Sequence, residues 1–508
     1  DDSDPQALPG IFDSLDQLAA APAAAPQTGF STWLERVAAD TIPSLEQRVA
    51  FLQAQRVIAG GASGGPDLDD ALSILYDLAA DNVTGDVATA VQRAARERYL
   101  ATRIDRGDLL VDVVRSLSEL DAPAADFELA VDRLLPARVR ARDWEGIAAS
   151  RDAVPARAGK AAEHLAYVLS LAGVESDGEL QGTTLSAVRS RSVPDYFGLA
   201  ARSAAGEVGE FVDRSAALET GWYWSAPAAT DQTSADSPSA DWAGQPIVVD
   251  RIDRKDWRQL QLLHADALIT AGQPAAALPL AMRAARGAGP ETNGGQAVAR
   301  RALDVARRFA VFGHYSAGLD LARRAYIRGE FPLEPSDVQL LYPPAFETEI
   351  ATAAGLYGIP GAILTGLVRE ESHFRPAAES HVGARGLAQL MPATADDILR
   401  RLGGDAVDLV DPSENLRLGA FYLNYLDEQL PESAVIQIAA YNAGLGRGRR
   451  WTTEFGDLPP LLQVEALPFI ETRWYVRRVT VSAAIYQWLR DGSSPEDAFR
   501  AIIEGGGV

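Results

Sequence analysis

Apolar and polar positions alternate with a helical period over most of the chain. In the blocks 71–80, 87–100 and 161–171, apolar side chains return every three or four residues, which is typical of helices with one face on a core. Glycine and proline separate the blocks and mark the turns between them. The pattern predicts consecutive helices, each of about 10 to 20 residues, from Trp33 onward.

Two stretches break this pattern. Residues 1–30 are rich in aspartate, alanine and proline without a sustained period, and such a segment cannot bury enough apolar surface to offset the entropy of ordering. Residues 225–248 are largely polar and of low complexity. We expect a flexible arm at 1–30 and a surface loop at 225–248.

Two similar segments within 250–335 predict helical hairpins. The turn glycines Gly272 and Gly313 are 41 residues apart, and the apolar positions after them correspond. These positions are Leu278, Ala281 and Ala284 after the first glycine, and Leu319, Ala322 and Ala325 after the second. Hairpins of this kind stack because one alone cannot bury its apolar face. The alternative is a chance similarity between two alanine-rich helices, which leaves the region helical.

A proline-rich break at 341–345 precedes a segment with more aromatic residues and glycine-containing turns. A chain of 508 residues is also too long for one compact core. We therefore expect an all-α protein with a superhelical, solenoid-like domain at 31–340 and a second helical domain at 341–508, the boundary lying near 335 to 342.

The net charge of −23 opposes binding to nucleic acid or anionic lipid, because both require a positive field. No apolar run approaches the roughly 20 residues of a membrane helix. The sequence starts with Asp1 and Asp2 instead of a basic, then apolar, leader. We expect a soluble, already processed chain with no membrane span and no nucleic-acid partner.

The chain has no cysteine, which excludes disulfides, thiolate metal sites and cysteine-linked lipid anchors in this sequence. Its histidines do not have the spacing of metal ligands. They are His164, His264, His314, His373 and His381. We expect neither a metal nor a cofactor.

One acidic residue lies on a helix face that points to the core. Pro360 suits the first turn of a helix, and the face of that helix carries Leu364, Leu367, Val368 and Glu371 at i, i+3, i+4 and i+7. Burial raises the pKa of a carboxyl group and keeps it protonated near neutral pH, as a general acid for glycosidic cleavage requires. The alternative is that Glu371 turns outward at the helix end and is solvated.

A glycine-bearing segment follows at 380–392. Gly383 and Gly386 permit tight turns, and Gln389 and Met391 can line a cleft. A turn of this kind beside a buried acid is typical of a groove that binds a polymer.

The segments 371–372, 380–392, 415–423, 440–444 and 468–476 together resemble, in order, the motifs of the soluble lytic transglycosylases. The resemblance covers about 342–490, and the preceding helical region is similar to that family only in character. It implies a lysozyme-like α-helical catalytic domain at 341–508.

The resemblance also implies the reaction. The enzyme would cleave the β-1,4 bond between N-acetylmuramic acid and N-acetylglucosamine in peptidoglycan. Glu371 would protonate the leaving oxygen and then act as base on the muramyl C6 hydroxyl, so that a 1,6-anhydro sugar forms. The substrate's N-acetyl group would replace a second carboxylate. Glu370 lies about 100° round the helix and is expected to be a solvated surface charge, and Glu379 has no counterpart in the motifs.

Further residues are assigned to substrate binding by the resemblance. Tyr441 would hydrogen-bond Glu371, and Glu471 would contact substrate from the far wall. The complete set is Ser380, Gln389, Met391, Tyr422, Tyr441, Asn442 and Glu471. Alternatives are core filling for Met391, packing for Tyr422 and a helix stop for Asn442. Glu465 and Arg473 are expected to be structural, with Arg473 as an ion-pair partner.

A basic and aromatic patch interrupts the acidic sequence between 443 and 468. It consists of Arg447, Arg449, Arg450 and Trp451, which we place in a loop. Either it contacts peptide-stem carboxylates or sugar faces, or it is a solvated loop with one anchoring tryptophan.

Three functions follow from these observations. The first is a lytic transglycosylase, exported to the periplasm where its peptidoglycan strands lie. The second is a lysozyme-type hydrolase of the same bond. The third is a scaffold of a cell-wall complex, with synthesis or remodelling proteins as candidate partners.

Overall fold

The computed structural model describes residues 103, 109–119, 122–174, 196–197, 199–200, 256–286, 294–329 and 337–505. The predicted arm at 1–30, the loop at 225–248 and the helices at 71–80 and 87–100 lie outside these residues. In the described ranges the regular elements are helices, with isolated β-bridges joining Arg385 to Glu379 and to Leu390. The prediction of an all-α protein is confirmed for this part of the chain.

The chain divides into two compact units, Asp1–Ser176 and Asp177–Val508. In the described residues of the first unit the α-helices are α1 (Leu110–Glu119), α2 (Ala124–Ala141), α3 (Trp144–Ala153) and α4 (Gly159–Leu171). A short 3₁₀-helix, Ala156–Ala158, precedes α4. Helix α4 confirms the helix predicted at 161–171, and Val113, Phe127 and Leu165 are buried between these helices.

Helices that form hairpins occupy 257–329 of the second unit. They are α5 (Trp257–Thr270), α6 (Pro274–Arg286), α7 (Gly295–Val311) and α8 (Tyr315–Gly329). Helix α5 packs on α6 and α7 packs on α8, and Gly272 and Gly313 lie in the turns with positive φ. The predicted hairpins are confirmed. Arg308 of α7 donates to Asp266 of α5 at 2.8 Å, in a buried ion pair that joins one hairpin to the next.

The short helix α9 (Val338–Leu341) leads into the proline-rich break, and the C-terminal helices follow it. They are α10 (Glu347–Tyr357), α11 (Gly361–Ser372), α12 (Pro392–Leu402), α13 (Pro412–Gln429), α14 (Ala434–Ala443), α15 (Leu445–Phe455), α16 (Pro460–Ala466), α17 (Ile470–Asp491) and α18 (Pro495–Ile503). The predicted boundary near 335 to 342 lies inside the second compact unit, and the division into 31–340 and 341–508 stays a prediction.

Helices α11 and α17 form the centre of this region. Their backbones approach closely at Gly366, where a Cβ atom would lie 2.8 Å from the amide nitrogen of Ala483 and 3.0 Å from the carbonyl oxygen of Val479. Residues 362–369 of α11 are all buried. The close approach brings side chains at the end of α11 within reach of those on α17.

The prediction of a loop between 443 and 468 is wrong, because helices α15 and α16 occupy most of this segment. Trp451 and Phe455 are spaced i, i+4 and both are buried, which gives α15 an apolar face. Gly448 allows that face to approach α14, since a Cβ atom there would lie 2.8 Å from the Cβ of Ala440. Gly448 therefore serves helix packing within a helix instead of a loop.

Side chains of hairpin helix α8 hold the chain just after α11. His373 and Phe374 both have positive φ, 49° and 59°. The Nδ1 atom of His373 lies 2.7 Å from an Asp320 carboxylate oxygen, and Arg323 contacts the other ring nitrogen. Arg375 pairs with the second Asp320 oxygen at 3.2 Å. A left-handed turn is unfavourable for non-glycine residues, and α8 supplies partners that stabilise it.

None of the helices in the described ranges is long and apolar enough to cross a membrane.

Candidate active site

Glu371 is the penultimate residue of α11, and its carboxyl group is largely buried against α17. The phenol of Tyr475 donates a hydrogen bond of 2.7 Å to Glu371 Oε1. The apolar stripe of α11 therefore ends in an acid, as the sequence predicts, and the acid faces a buried helix instead of turning outward.

Burial raises the pKa of Glu371 from 4.5 to about 7. The hydrogen bond from Tyr475 acts in the opposite direction, because it stabilises the carboxylate. Among the neighbouring charges, Glu370 and Glu471 raise the pKa and Arg478 lowers it. The balance leaves Glu371 able both to donate and to accept a proton near neutral pH.

Tyr475, and not Tyr441, hydrogen-bonds Glu371, so the partner predicted from the sequence is wrong. The Tyr441 phenol donates instead to the carbonyl oxygen of Ala388 at 2.9 Å. Burial and the nearby charge of Glu371 raise the pKa of both phenols well above 10, so both remain hydrogen-bond donors. Tyr475 could have been found from the stripe Thr472, Tyr475, Val476 of α17, because a buried phenol needs a partner.

Glu370 is not the solvated surface charge that we expected, since its side chain is only 3% exposed. Helix α11 is buried on almost every side, so Glu370 is also covered by other side chains. The hydroxyl of Ser482 donates to Glu370 Oε1 at 2.9 Å, and Arg478 donates to Oε2 at 3.2 Å. Arg369 also pairs with Oε1.

The pKa of Glu370 is shifted in the direction opposite to that of Glu371. Burial alone would raise it, but Arg369, the hydroxyl of Ser482 and Arg478 together hold it below the ordinary glutamate value. Two adjacent carboxyl groups thus have pKa values that are pushed apart, which is the usual mark of an acid beside a permanent anion.

Ser380 and Gln389 hold the glycine turn together. The Ser380 hydroxyl accepts from the amide of Ala384 at 3.0 Å. The side-chain amide of Gln389 donates to the carbonyl oxygens of Ala378 and Gly386 at 3.1 and 2.9 Å. Both residues lie in the predicted turn, and these contacts give them a structural role there.

Asn415 organises the same turn from α13, although the sequence analysis assigns it only to the motif at 415–423. Its Oδ1 accepts from the amide of Ala388 at 2.7 Å. Its Nδ2 donates to the carbonyl oxygens of Arg385 and Leu409, each at 3.0 Å. Asn415 is fully buried, and its bond with the Ala388 amide is buried as well. The backbone of Ala388 thereby connects Asn415 to Tyr441.

The remaining predicted substrate contacts are arranged around these groups. The rings of Tyr422 and Tyr441 lie 5.3 Å apart, and Asn442 accepts from the Thr472 hydroxyl at 2.8 Å. Glu471 is exposed, and Met391 has an exposed fraction of 40%, so Met391 is not core filler.

Glu465 has a structural partner, but that partner is Arg477. The two side chains, each 1% exposed, approach to 2.6 Å. The Arg477 guanidinium also stacks near the rings of Phe197 and Trp474. Arg473 donates to the backbone carbonyl of Leu467, and the ion pair expected for it stays a prediction.

The basic patch lies on α15. Trp451 is buried against Phe469, with ring centroids 6.0 Å apart, which confirms its anchoring role. The Arg447 guanidinium lies 5.2 Å from the exposed Phe469 ring, and Arg449 donates to Gln429. The described residues contain no group of three or more acidic or histidine side chains that could hold a metal ion.

Comparison with known sequences identifies the region that carries this site. Residues 349–461 match the family model of the Transglycosylase SLT domain. The soluble lytic murein transglycosylase of Escherichia coli K12 is 36% identical over 135 residues, covering 26% of this chain and 21% of that protein. The membrane-bound lytic murein transglycosylase F of Yersinia pestis is 41% identical over 90 residues, covering 16% and 17%. The matches thus span about a fifth of these relatives.

Solved structures are similar over a much longer stretch. An inactive glutamate-to-glutamine mutant of the lytic transglycosylase Slt from Pseudomonas aeruginosa covers 97% of this chain, with a TM-score of 0.56 and 19% identity, and 77% of its own chain is matched. The 70-kDa soluble lytic transglycosylase of Escherichia coli gives a TM-score of 0.52 at the same identity and coverage. This chain therefore has the helical fold of the soluble lytic transglycosylases and carries a domain of the transglycosylase SLT family.

Proposed function

We propose that this protein is a peptidoglycan lytic transglycosylase that cleaves the β-1,4 bond between N-acetylmuramic acid and N-acetylglucosamine. The observation that carries the proposal is the largely buried Glu371, whose pKa is raised to about 7 beside the phenol of Tyr475. The murein transglycosylases that match this region support the choice of substrate. A cell-wall substrate implies a periplasmic location, and cell-wall synthesis or remodelling proteins remain candidate partners.

Glu371 performs both proton transfers in the proposed reaction. It donates its proton to the glycosidic oxygen as the bond to muramyl C1 breaks and an oxocarbenium-like state forms. The carboxylate then removes the proton of the C6 hydroxyl, whose oxygen bonds to C1 and closes a 1,6-anhydro ring. Glu371 ends in its starting state. Tyr475 hydrogen-bonds the carboxylate between the two steps.

The surroundings of Glu371 favour a mechanism with one catalytic carboxylate. Retaining hydrolases hold two carboxyl groups about 5 Å apart across the sugar. Glu370 cannot serve as the second, because Arg369, Ser482 and Arg478 occupy both of its oxygens. The N-acetyl group of the substrate supplies the missing stabilisation in this proposal.

Substrate contacts are proposed for the residues around the acid. Met391 and Glu471 are exposed and available to bind glycan, and Tyr422 packs beside Tyr441. Gln389 keeps a side-chain oxygen for substrate while its nitrogen holds the turn. Ser380, Tyr441 and Asn442 complete the proposed set.

The test is the chemistry of the product. Purified peptidoglycan is digested with the protein, and the released muropeptides are analysed by mass spectrometry, with Glu371→Gln as the inactive control. Anhydromuramyl ends from the wild type alone are expected. Reducing muramic acid ends would indicate a hydrolase, and no release from either protein would favour a scaffold.

Removing the phenol hydroxyl in Tyr475→Phe is expected to change the pH dependence of cleavage. Without the hydrogen bond the carboxylate is less stable, so the pKa of Glu371 rises. Since the first step needs the protonated acid, the alkaline limb of kcat/KM moves to higher pH. The maximal rate falls because Glu371 becomes a weaker acid, so that the carboxylate that forms in the first step is less stabilised. A pH–rate profile over about pH 5 to 9 measures this.

Tyr486→Phe is the matched control, because Tyr486 lies on the same helix and donates its hydroxyl to the carbonyl of Pro343. The control is expected to keep the wild-type profile. An unshifted profile for Tyr475→Phe would contradict the role assigned to this phenol.

A further inference from the structure

The carboxylate of Glu370 is the point at which α11 and α17 are joined beside the acid. Ser482 and Arg478, one helical turn apart on α17, each donate to a different oxygen of Glu370. Arg369 approaches from α11 itself, and its own Nε is anchored on the carbonyl oxygen of Leu341 at 2.8 Å. Both oxygens are therefore fixed, and the side chain is 3% exposed.

Several charged or titratable groups face Glu371 from the elements packed around it. Helix α17 contributes Tyr475, Glu471 and Arg478, and helix α14 contributes Tyr441. Glu370 is the neighbour on α11. Glu471 is exposed, so solvent and salt screen its charge, whereas a buried charge such as that of Glu370 is screened much less.

We propose that Glu370 is a positioning residue for Glu371. Its buried negative charge keeps the proton on the acid, and its bonds to Ser482 and Arg478 hold α11 on α17 so that Tyr475 reaches the acid. The role in catalysis depends on the proposed function, but the effect on the titration of Glu371 does not.

The sign of the effect follows from the charges. In Glu370→Gln the anion is lost while the positive charges of Arg369 and Arg478 remain, so the carboxylate form of Glu371 is stabilised and its pKa falls. In Arg478→Gln a cation is lost while Glu370 remains, so the pKa of Glu371 rises. Two single substitutions at one ion pair are therefore expected to move the same titration in opposite directions.

The experiment measures the titration of Glu371 directly and the reaction separately. The protein is labelled with ¹³C at the glutamate carboxyl carbons, and the Glu371 signal is assigned by its absence in Glu371→Gln. The pH midpoint of the Glu371 signal is then measured in the wild type, Glu370→Gln and Arg478→Gln. Glu432→Gln, which removes an exposed carboxylate before α14, is the control. pH–rate profiles of peptidoglycan cleavage are recorded for the same proteins.

The midpoint is expected to move by about one pH unit, downward in Glu370→Gln and upward in Arg478→Gln. The alkaline limb of the rate profile follows, so Glu370→Gln is about tenfold slower at alkaline pH and near wild type in acid. Glu432→Gln is expected to change neither the Glu371 midpoint nor the rate profile.

Two results would overturn the proposal. One is an unchanged Glu371 midpoint in Glu370→Gln. The other is a lowered midpoint with loss of cleavage at every pH, acid included, which would place Glu370 in the chemistry itself. Should Glu370→Gln not fold, Arg478→Gln decides, because its side chain is about half exposed and an unchanged midpoint there would exclude the charge effect. If the wild type releases no muropeptide, the proposed function fails while the titration still tests Glu370.

Discussion

Glu371→Gln is expected to lower the rate of peptidoglycan cleavage about 100- to 10,000-fold, the usual contribution of a positioned general acid or base. Glutamine fills the same space and can still accept the hydrogen bond from Tyr475, so the loss reports proton transfer and not a collapsed site. The rate of muropeptide release measures it, with the exposed Glu432→Gln as the control. A variant that keeps a tenth or more of the wild-type rate would contradict the role of Glu371.

The same substitution is expected to make the protein more stable above neutral pH. The pKa of Glu371 is raised in the folded state from 4.5 to about 7, so the folded protein binds this proton more tightly than the unfolded chain. The associated stability is complete below about 4.5 and is lost as pH rises through about 7. Glutamine never ionises and does not incur this loss.

The gain in the free energy of unfolding is at most about 3 kcal/mol above pH 8, and the difference between the two proteins disappears below pH 4.5. Urea unfolding of both proteins, once above pH 8 and once below pH 4.5, measures this difference. If the wild type and Glu371→Gln had equal free energies of unfolding at both pH values, burial would not raise the pKa of Glu371. An active residue that costs stability is common in enzymes, because activity and stability often oppose each other.

Gly386→Ala is expected to lower the free energy of unfolding by about 3 kcal/mol and to abolish cleavage. At Gly386 φ is +82°, and an added Cβ atom would lie 2.2 Å from both the Asn415 side-chain nitrogen and the Leu409 carbonyl oxygen. Asn415 would have to leave the turn, and the amide of Ala388 would lose a buried hydrogen bond.

Gly383→Ala is the matched control for this prediction. Its φ is +88°, yet no atom lies within 4 Å of the added Cβ. Only the left-handed backbone is penalised, by about 1 to 2 kcal/mol. Chemical denaturation of both variants compares them, and similar losses would show that the contact with Asn415 is unimportant.

The helices and the acid could be predicted from the sequence because both depend on local periodicity. The stripe that ends in Glu371 specifies the buried face of α11 without reference to any other helix. The matching glycines Gly272 and Gly313 likewise mark hairpins through their own turns. Each of these signals lies within a few residues of the element that it marks.

The partners of the acid could not be predicted in the same way, because they depend on how distant helices pack. Tyr475 is 104 residues from Glu371, and a motif shows its presence but not where its hydroxyl points. The prediction that Glu370 is solvated is wrong for the same reason. A rotation of about 100° from Glu371 places a side chain in solvent only when that side of the helix is exposed. Here α17 covers that side with Ser482 and Arg478.

The contacts of α8 with the turn after α11 limit how far the catalytic region can be treated as a transferable module. The family match begins at residue 349, yet Asp320 and Arg323, which hold His373, lie upstream of it. A fragment cut at residue 341 would retain Glu371, Tyr475 and Glu370 but would lose the side chains that stabilise the left-handed turn two residues after the acid. The hairpin array is in this sense part of the framework of the site, and a fragment that keeps these contacts has to begin before Tyr315.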